Sequence, residues 1–232
     1  MNPIETVASP TVENYLKAQW ALEQEVGSGE SVSPGALARK LGVTGGTLTT
    51  MAKSLAADGF LDYQPRRELK LTELGRRAAL DVLRRHRVVE RFLVDVLRMD
   101  WSEVHPEAEQ LEHAISTKVL ERMEALLGHP TRDPHGDPIP AADGSMAGDP
   151  VMPVHKLEVG QTAVVVRVMD QAPEFLNLLA DHGIRPGHRV RLCECLSGAD
   201  AVELQAEGQD AALALGLAAA ERILVAESVE QP

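Results

Sequence analysis

The sequence predicts an α+β protein with an N-terminal winged helix-turn-helix, a helical domain and a C-terminal small β-barrel. Three observations predict this fold. The first 75 residues carry a helix, a glycine-containing turn and a helix, followed by two short strands. Two long amphipathic segments come next, and short β-rich runs fill the end of the chain. At 232 residues the chain has room for two or three modest domains.

The N-terminal elements have clear start and stop signals. Apolar residues recur at helical spacing from Pro10 to about Val26. Ser33-Pro34 begins a short helix that Gly42 breaks, and Thr44 caps a second helix that ends at Asp58-Gly59. The following stretch FLDYQPRRELKLT predicts a two-stranded wing. We therefore predict a winged-helix DNA-binding domain over residues 1–75.

The remainder divides by composition. Amphipathic segments from Leu74 to about Leu97 and from Pro106 to Leu127 predict a helical dimerisation and metal-binding domain at 76–141. Because residues 129–153 are crowded with Pro, Gly and Asp, we predict a loop there, with a linker at 142–155. Runs such as TAVVVRVMD and RILVAESV, with one helix near Pro173 to His182, predict a β-barrel at 156–232.

The charge distribution fits a DNA-facing head on an acidic body. Residues 11–85 carry 11 Lys and Arg against 9 Asp and Glu, whereas residues 86–232 carry 12 against 25. The net charge of -12 is therefore concentrated outside the predicted DNA-binding domain. No long apolar run or leader is evident, which predicts a cytoplasmic protein without a membrane partner. Cys193 and Cys195 are spaced unsuitably for a disulfide framework.

Six side chains around the two central segments have metal-ligand chemistry. On a continuous helix, His105, Glu109, Glu112 and His113 would lie within an arc of roughly 100°. His86 and Glu90 form a second pair at i and i+4. Nitrogen and carboxylate ligands without a thiolate favour Mn²⁺, Fe²⁺, Co²⁺ or Zn²⁺. The alternative is a solvated helix face, which is about equally common for such residues taken alone.

DNA contact is predicted for the second helix of the helix-turn-helix and for the wing. Short hydroxyl side chains and glycines allow close approach to phosphates and bases, and arginines meet phosphate. The residues concerned are Thr44, Gly46, Thr47, Thr49, Thr50, Lys53, Arg66 and Arg67. For the threonines the alternative is helix capping and plain surface, and Thr44 is expected to be a cap in any case.

The stretches RRHRVVERFLVDVL, VHPEAEQLEHAIS and DPHGDPIP, together with the helix-turn-helix, closely resemble the DtxR/MntR family of metal-dependent transcriptional repressors. The resemblance covers nearly the whole chain, because longer members end in an SH3-like (FeoA-like) domain. It implies a homodimer on a palindromic double-stranded operator, with metal as co-repressor of metal-uptake genes.

The resemblance also implies how the ligands divide. A primary site would use Asn14, Glu109, Glu112 and His113, and a second site would use His86, Glu90 and His105. His86 could serve either site. Asp170 and Glu174 are the acidic residues with which the SH3-like domain would reach the second site. Family members that respond to iron usually have Cys at the position of Glu109, so Mn²⁺ is favoured over Fe²⁺. Asn14 departs from the family, which commonly has Asp or Met there.

Two other classes of protein are alternatives to a metal-dependent repressor. A metallohydrolase would also use His and Glu around an ion, but the sequence contains no HExxH motif and no nucleophile elbow. We therefore predict that the chain is not an enzyme. A metal-independent winged-helix protein that binds a protein partner is a further alternative, as is an iron-responsive repressor of the same family.

Overall fold

The computed structural model describes residues 9–26, 32–64, 68–146, 148, 150–196 and 198–227. These residues form two compact units. The first unit contains residues up to 86, the turn 112–115 and the segment 140–145. The second unit contains 87–111, 116–139 and everything from 146 onwards.

The first unit begins with three helices, α1 (Pro10–Val26), α2 (Pro34–Lys40) and α3 (Gly45–Ala57). Strands β1 (Leu61–Tyr63) and β2 (Leu69–Leu71) then pair antiparallel. The Ser33 side chain accepts a hydrogen bond from the Ala36 amide and caps α2, and Thr44 does the same for α3 by accepting from Thr47. The predicted winged helix is confirmed.

The core of this unit joins its first three helices and both strands. Its buried side chains come from α1, α2, α3 and both strands, and include Tyr15, Leu37, Leu48, Leu55 and Leu69. The burial of these apolar side chains is the main contribution to the folding stability of this small unit. Because Tyr15 in α1 belongs to the same core as Leu48 in α3, the two helices are held in one packing arrangement.

Helix α4 (Glu73–Asp95) matches the first amphipathic segment within two residues. The second predicted segment, Pro106 to Leu127, is wrong as a single helix. The chain forms α5 (Val104–Leu111), a turn, and α6 (Thr117–Leu126). Ser116 is the reason for the break, because its side chain accepts a hydrogen bond from the Val119 amide and starts a new helix.

The second unit contains a six-stranded antiparallel sheet and α7 (Pro173–Asp181). In spatial order its strands are β3 (Met152–Pro153), β8 (Ile223–Glu227), β4 (Thr162–Val168), β5 (Arg189–Leu196), β6 (Ala201–Ala206) and β7 (Leu213–Gly216). A short helix α8 (Leu217–Ala220) precedes β8. Strand β3 lies within the segment 142–155 that the sequence predicts as a linker, and it pairs with β8 at the sheet edge.

The sheet and α7 enclose a second core that includes Val165, Leu176, Leu192, Leu204 and Ile223. Trp101, from the turn before α5, is buried in the same core. The predicted C-terminal β-domain is therefore confirmed. In the described part of the chain, no helix combines the length and apolar character needed to span a membrane.

Candidate metal centre

Asn14, Glu112 and His113 come together in the first unit. The His113 Nε2 atom lies 3.0 Å from Asn14 Oδ1 and 3.4 Å from Glu112 Oε1. The other ring nitrogen, Nδ1, lies 2.5 Å from Glu13 Oε2. A proton on Nδ1 donated to Glu13 leaves the Nε2 lone pair facing two oxygen atoms. This is the orientation in which a histidine binds a metal ion while a carboxylate holds its other nitrogen.

Glu112 is fully buried and has partners at both carboxylate oxygens. Lys17 Nζ lies 2.6 Å from Oε1, and His86 Nδ1 lies 2.5 Å from Oε2. Burial alone would raise the pKa of Glu112, but the hydrogen bond from His86 and the charges of His86 and Lys17 outweigh burial. The net pKa is lower than usual, so Glu112 stays an anion.

Sequence reasoning missed two members of this group. Glu13 lies between His113 and Arg85, whose Nη2 is 2.7 Å from Glu13 Oε1. Lys17 follows Glu13 by one helical turn, so the spacing of α1 could have placed both beside Asn14. We call Glu13, Asn14, Lys17, Glu112 and His113 the α1 cluster.

The predicted common face of four ligands is wrong because α5 ends at Leu111. His105 and Glu109 do share a face of α5, with 3.6 Å between His105 Nε2 and Glu109 Oε1. Glu112 and His113 instead lie in the turn after the helix. Residues in a turn do not follow the 100° spacing of a helix, so the arithmetic stops at Leu111.

In the second unit, Glu90 and His105 are in contact, with 3.1 Å between Glu90 Oε1 and His105 Nδ1. Glu90 is only 1% exposed, whereas 45% of the His105 side chain is exposed. His86 precedes Glu90 by one turn of α4, as predicted from the i, i+4 spacing. Buried Glu90 thus has an imidazole on a neighbouring helix within hydrogen-bond distance.

Two further buried polar residues were not predicted as ligands. Asp133 and His135 belong to the DPHGDPIP stretch, which contributes to the family resemblance but is otherwise predicted only as a Pro- and Gly-rich loop. Their exposed fractions are 2% and 0%. A carboxylate oxygen of Glu90, one of Asp133 and a ring nitrogen of His135 all lie within 4.8 Å of one another. We call these three residues the loop cluster.

Asp170 and Glu174 are both exposed. Asp170 Oδ1 accepts a hydrogen bond from the Ala172 amide, and Glu174 lies in the first turn of α7. Among the described residues neither carboxylate belongs to a group of three metal-competent side chains. Their predicted part in a second site stays a prediction.

The predicted DNA-contact residues of α3 form an exposed hydroxyl-rich surface. Thr49 Oγ1 donates to the Gly45 carbonyl at 2.8 Å and Thr50 Oγ1 to the Gly46 carbonyl at 3.1 Å. Thr44 is the helix cap, as expected, and Thr47 and Lys53 are exposed. Arg66 and Arg67 lie outside the described residues.

Three domain families match successive parts of the chain. Residues 8–69 match the N-terminal DNA-binding domain of iron-dependent repressors, residues 72–141 match the metal-binding and dimerisation domain of the same repressors, and residues 152–227 match the FeoA domain.

Two curated relatives are similar over most of their length. The iron-dependent repressor IdeR of Mycobacterium leprae is 35% identical over 192 residues, which are 78% of this chain and 82% of that protein. The diphtheria toxin repressor of Corynebacterium diphtheriae is 30% identical over 195 residues, or 79% and 84% of the two chains.

Solved structures are similar in fold. A manganese-dependent transcriptional repressor in complex with manganese has a TM-score of 0.81 and 39% identity, covering 93% of this chain and 99% of that chain. ScaR with bound Cd²⁺ has a TM-score of 0.73 and 28% identity, covering 93% and 99%.

A winged-helix DNA-binding domain followed by a matched metal-binding and dimerisation domain defines the class: a metal-dependent, DNA-binding transcriptional regulator. The matched domains and relatives assign the family within that class. The chain belongs to the DtxR/MntR family of metal-dependent transcriptional repressors.

Proposed function

We propose that this chain represses metal-uptake genes when loaded with Mn²⁺, as a homodimer that binds a palindromic operator in the cytoplasm and has no catalytic activity. The observation that carries the proposal is the position of His113 Nε2, which faces Asn14 and Glu112 while Glu13 holds Nδ1. The metal-binding and dimerisation domain matched at 72–141 supports the dimer.

The donor set fits a hard or borderline divalent ion. An amide oxygen, a carboxylate oxygen and an imidazole nitrogen suit Mn²⁺ and Fe²⁺ better than a soft ion such as Cu⁺. We propose that Asn14, Glu112 and His113 hold the ion, with Glu109 contributing a fourth donor. A bound divalent ion would supply a positive charge to which all of these electron-pair donors are attracted.

Asn14 links the ligands to the DNA-reading surface. It lies in α1 next to Tyr15, which is fully buried in the core that also contains Leu48 of α3. When Asn14 is drawn toward Glu112 and His113, α1 is held in place, and the shared core passes this constraint to α3. We propose that this coupling fixes the spacing of the two winged helices in the dimer.

A second site at His86, Glu90 and His105 is part of the same proposal. The support is the helical spacing of His86 and Glu90 and the contact between Glu90 and His105. We propose that Asp170 and Glu174 complete this site in the metal-loaded protein.

The surface that meets DNA would be formed by Thr44, Gly46, Thr47, Thr49, Thr50 and Lys53, with Arg66 and Arg67 on the wing. The described members of this set are exposed, and the threonine hydroxyls are free to exchange their intrahelical bonds for bonds to phosphate. Such contacts weaken steeply with salt.

Operator affinity measured with and without Mn²⁺ tests the proposal. Duplexes selected from a random library by the Mn²⁺-loaded protein would be titrated by fluorescence anisotropy in MnCl₂ and in EDTA. We expect at least tenfold tighter binding with Mn²⁺, which corresponds to about 1.4 kcal/mol of coupling. His113→Gln should abolish the difference, whereas His188→Gln, on the exposed surface of the β-domain, should keep it. Equal affinity in both conditions would overturn the mechanism.

Iron is the second candidate effector, because the IdeR relatives are named as iron-dependent repressors. The same titration repeated anaerobically with Fe²⁺ separates the two. For each ion, the concentration that gives half-maximal operator binding is divided by the concentration of that free ion in the cell. We expect this ratio to be lower for Mn²⁺ than for Fe²⁺. In vitro tightness alone does not decide this, because affinities follow the Irving–Williams order.

A further inference from the structure

The DPHGDP loop is built tightly into the second unit. Gly136 has φ +90°, and a Cβ atom there would lie 1.9 Å from the Val166 carbonyl oxygen of β4. The His135 carbonyl accepts a hydrogen bond from the Val168 amide at 2.9 Å. Loop and strand are therefore in backbone contact, and the side chains of Asp133 and His135 have fixed positions in the interior.

One nitrogen of His135 is left without a hydrogen bond. The Nε2 atom donates to the Trp101 carbonyl at 2.8 Å, and the imidazole stacks on the Trp101 ring with centroids 5.7 Å apart. In the described part of the chain, Nδ1 is completely buried and has no hydrogen-bond partner. A buried polar atom without a partner is costly unless something else occupies its lone pair.

That lone pair faces carboxylates. Glu90 Oε2 lies 3.9 Å from His135 Nδ1, which is beyond hydrogen-bond distance but within reach of a shared ion. Both carboxylates are buried, with 2% of Asp133 and 1% of Glu90 exposed. Two buried carboxylates and a lone pair directed at each other are an arrangement that a cation stabilises.

The supporting contacts are also those of a metal site. The Trp101 carbonyl fixes the tautomer of His135, as a backbone acceptor does for many metal-binding histidines. Asp133 Oδ1 accepts from the amides of His135 and Asp137 at 2.8 and 2.9 Å. Arg87 Nε lies 3.6 Å from Asp133 Oδ2. The ligand atoms lie within 4.8 Å of one another, and ligands on one ion at about 2.1 Å lie at most about 4.2 Å apart. Because three ligands on one ion cannot all be opposite one another, closing the site requires the ligand atoms to approach by about 1 Å.

We propose that Glu90, Asp133 and His135 form a separate, buried binding site for a divalent first-row transition ion, with Mn²⁺ as the first choice. The two oxygens of Glu90 face different imidazoles, Oε1 that of His105 and Oε2 that of His135. Glu90 is thus a bridging carboxylate between this site and the second site proposed above. The ion joins the loop to α4, and its binding is independent of operator binding.

The test is the number of ions bound by the metal-stripped full chain. Protein dialysed against MnCl₂ is measured by elemental analysis for the unmodified chain, His135→Phe and Asp133→Asn. Phenylalanine keeps the stacking on Trp101 and removes the ligand. Asp137→Asn is the matched control. Asp137 lies in the same loop and pairs with Arg87 of α4 and Arg167 of β4, but it is outside the loop cluster. We expect one ion fewer per chain in the first two variants and no change in the control.

Unchanged ion content in both variants would overturn the site, and so would an equal loss in Asp137→Asn, which would indicate general disruption of the loop. Anomalous diffraction from crystals of the unmodified protein soaked in MnCl₂ is independent of variant folding. We expect a peak between Glu90, Asp133 and His135. If other metal positions show peaks and this one does not, the proposal is overturned. Failure of the proposed function shows instead as Mn²⁺-independent operator affinity.

Discussion

The α1 cluster and the loop cluster use similar side chains but balance their charges differently. In the α1 cluster each carboxylate is paired with a cation, Glu112 with Lys17 and Glu13 with Arg85. In the loop cluster, two carboxylates that are at most 2% exposed face an imidazole nitrogen that has no hydrogen-bond partner among the described residues. The α1 cluster holds its cations at 2.6 and 2.7 Å, whereas in the loop cluster Arg87 Nε lies 3.6 Å from Asp133 Oδ2 and the lone pair of His135 Nδ1 is available to an ion.

The difference suggests different uses for a metal ion. In the proposed mechanism, an ion at the α1 cluster would compete with Lys17 for Glu112, which would lower its affinity and let occupancy follow the metal concentration. An ion in the loop cluster would bind the lone pair of His135 Nδ1, which has no hydrogen-bond partner among the described residues, and would stabilise a loop fixed to β4. Glu112 already has partners without a metal ion, because Lys17 and His86 each contact one of its carboxylate oxygens.

The largest expected effect is that of Gly136→Ala in the loop cluster. The added Cβ would clash with the Val166 carbonyl at a backbone conformation that disfavours alanine. We expect a loss of about 3 kcal/mol or more in the free energy of unfolding in urea, together with loss of the ion assigned to the loop cluster. Gly216→Ala, with open space around it and negative φ, is the control and should change stability little. Equal stability of the two variants would show that the loop adapts and is not preformed.

Glu112→Gln should have the next largest effect, in the α1 cluster. It removes the anion that Lys17 and His86 face, leaving buried charge without its partner. We expect a loss of about 3 kcal/mol in the free energy of unfolding and loss of the Mn²⁺ effect on operator affinity. Glu121→Gln, at an exposed position of α6, should match the unmodified chain in both measurements. Retention of Mn²⁺-dependent operator binding by Glu112→Gln would exclude Glu112 as a ligand.

Much of the fold could be predicted because its signals are local. Ser33, Thr44 and the glycine-containing turn place α2 and α3, and helical spacing places α1. The break between α5 and α6 was missed because apolar spacing continues through residues 112–116 and conceals the Ser116 cap. The apolar spacing favours one continuous helix there and the Ser116 cap favours a new one, and the spacing alone does not reveal which signal dominates.

The sites were harder to predict because their contacts join distant parts of the chain. Lys17 and Glu112 are 95 residues apart in sequence. Asn14, Glu112 and His113 were grouped by family resemblance, whereas spacing alone produced a helix face that does not exist. His135 was overlooked because Pro and Gly predict a loop but not whether it is buried. Only the close approach of Gly136 to β4 explains that burial.

Lys17→Gln would sharpen the comparison by removing the internal cation of the α1 cluster. The ammonium group lies 2.6 Å from Glu112 Oε1, and glutamine keeps a hydrogen-bond donor without the charge. We expect the Mn²⁺ dissociation constant for this cluster to fall about tenfold, or about 1.4 kcal/mol, because no cation has to be displaced. Isothermal titration with MnCl₂ measures this effect. Lys40→Gln, at an exposed ion pair with Glu25, is the control. Weaker Mn²⁺ binding in Lys17→Gln would mean that Lys17 supports the ligand geometry rather than competing with the ion.

The smallest effect is expected for Asn14→Asp, which replaces an amide oxygen with a carboxylate of the same shape. Asn14 is exposed, so solvent screens the added charge and limits its contribution. We expect Mn²⁺ to bind the α1 cluster about threefold more tightly, or about 0.7 kcal/mol, measured by the same titration. A double variant with Lys17→Gln tests whether the two changes add. Independent contributions should give about thirtyfold tighter binding, whereas a much smaller gain would indicate that both side chains act on the same oxygen of Glu112. Unchanged affinity in Asn14→Asp alone would separate α1 from the ligand set and break the proposed link between metal and DNA.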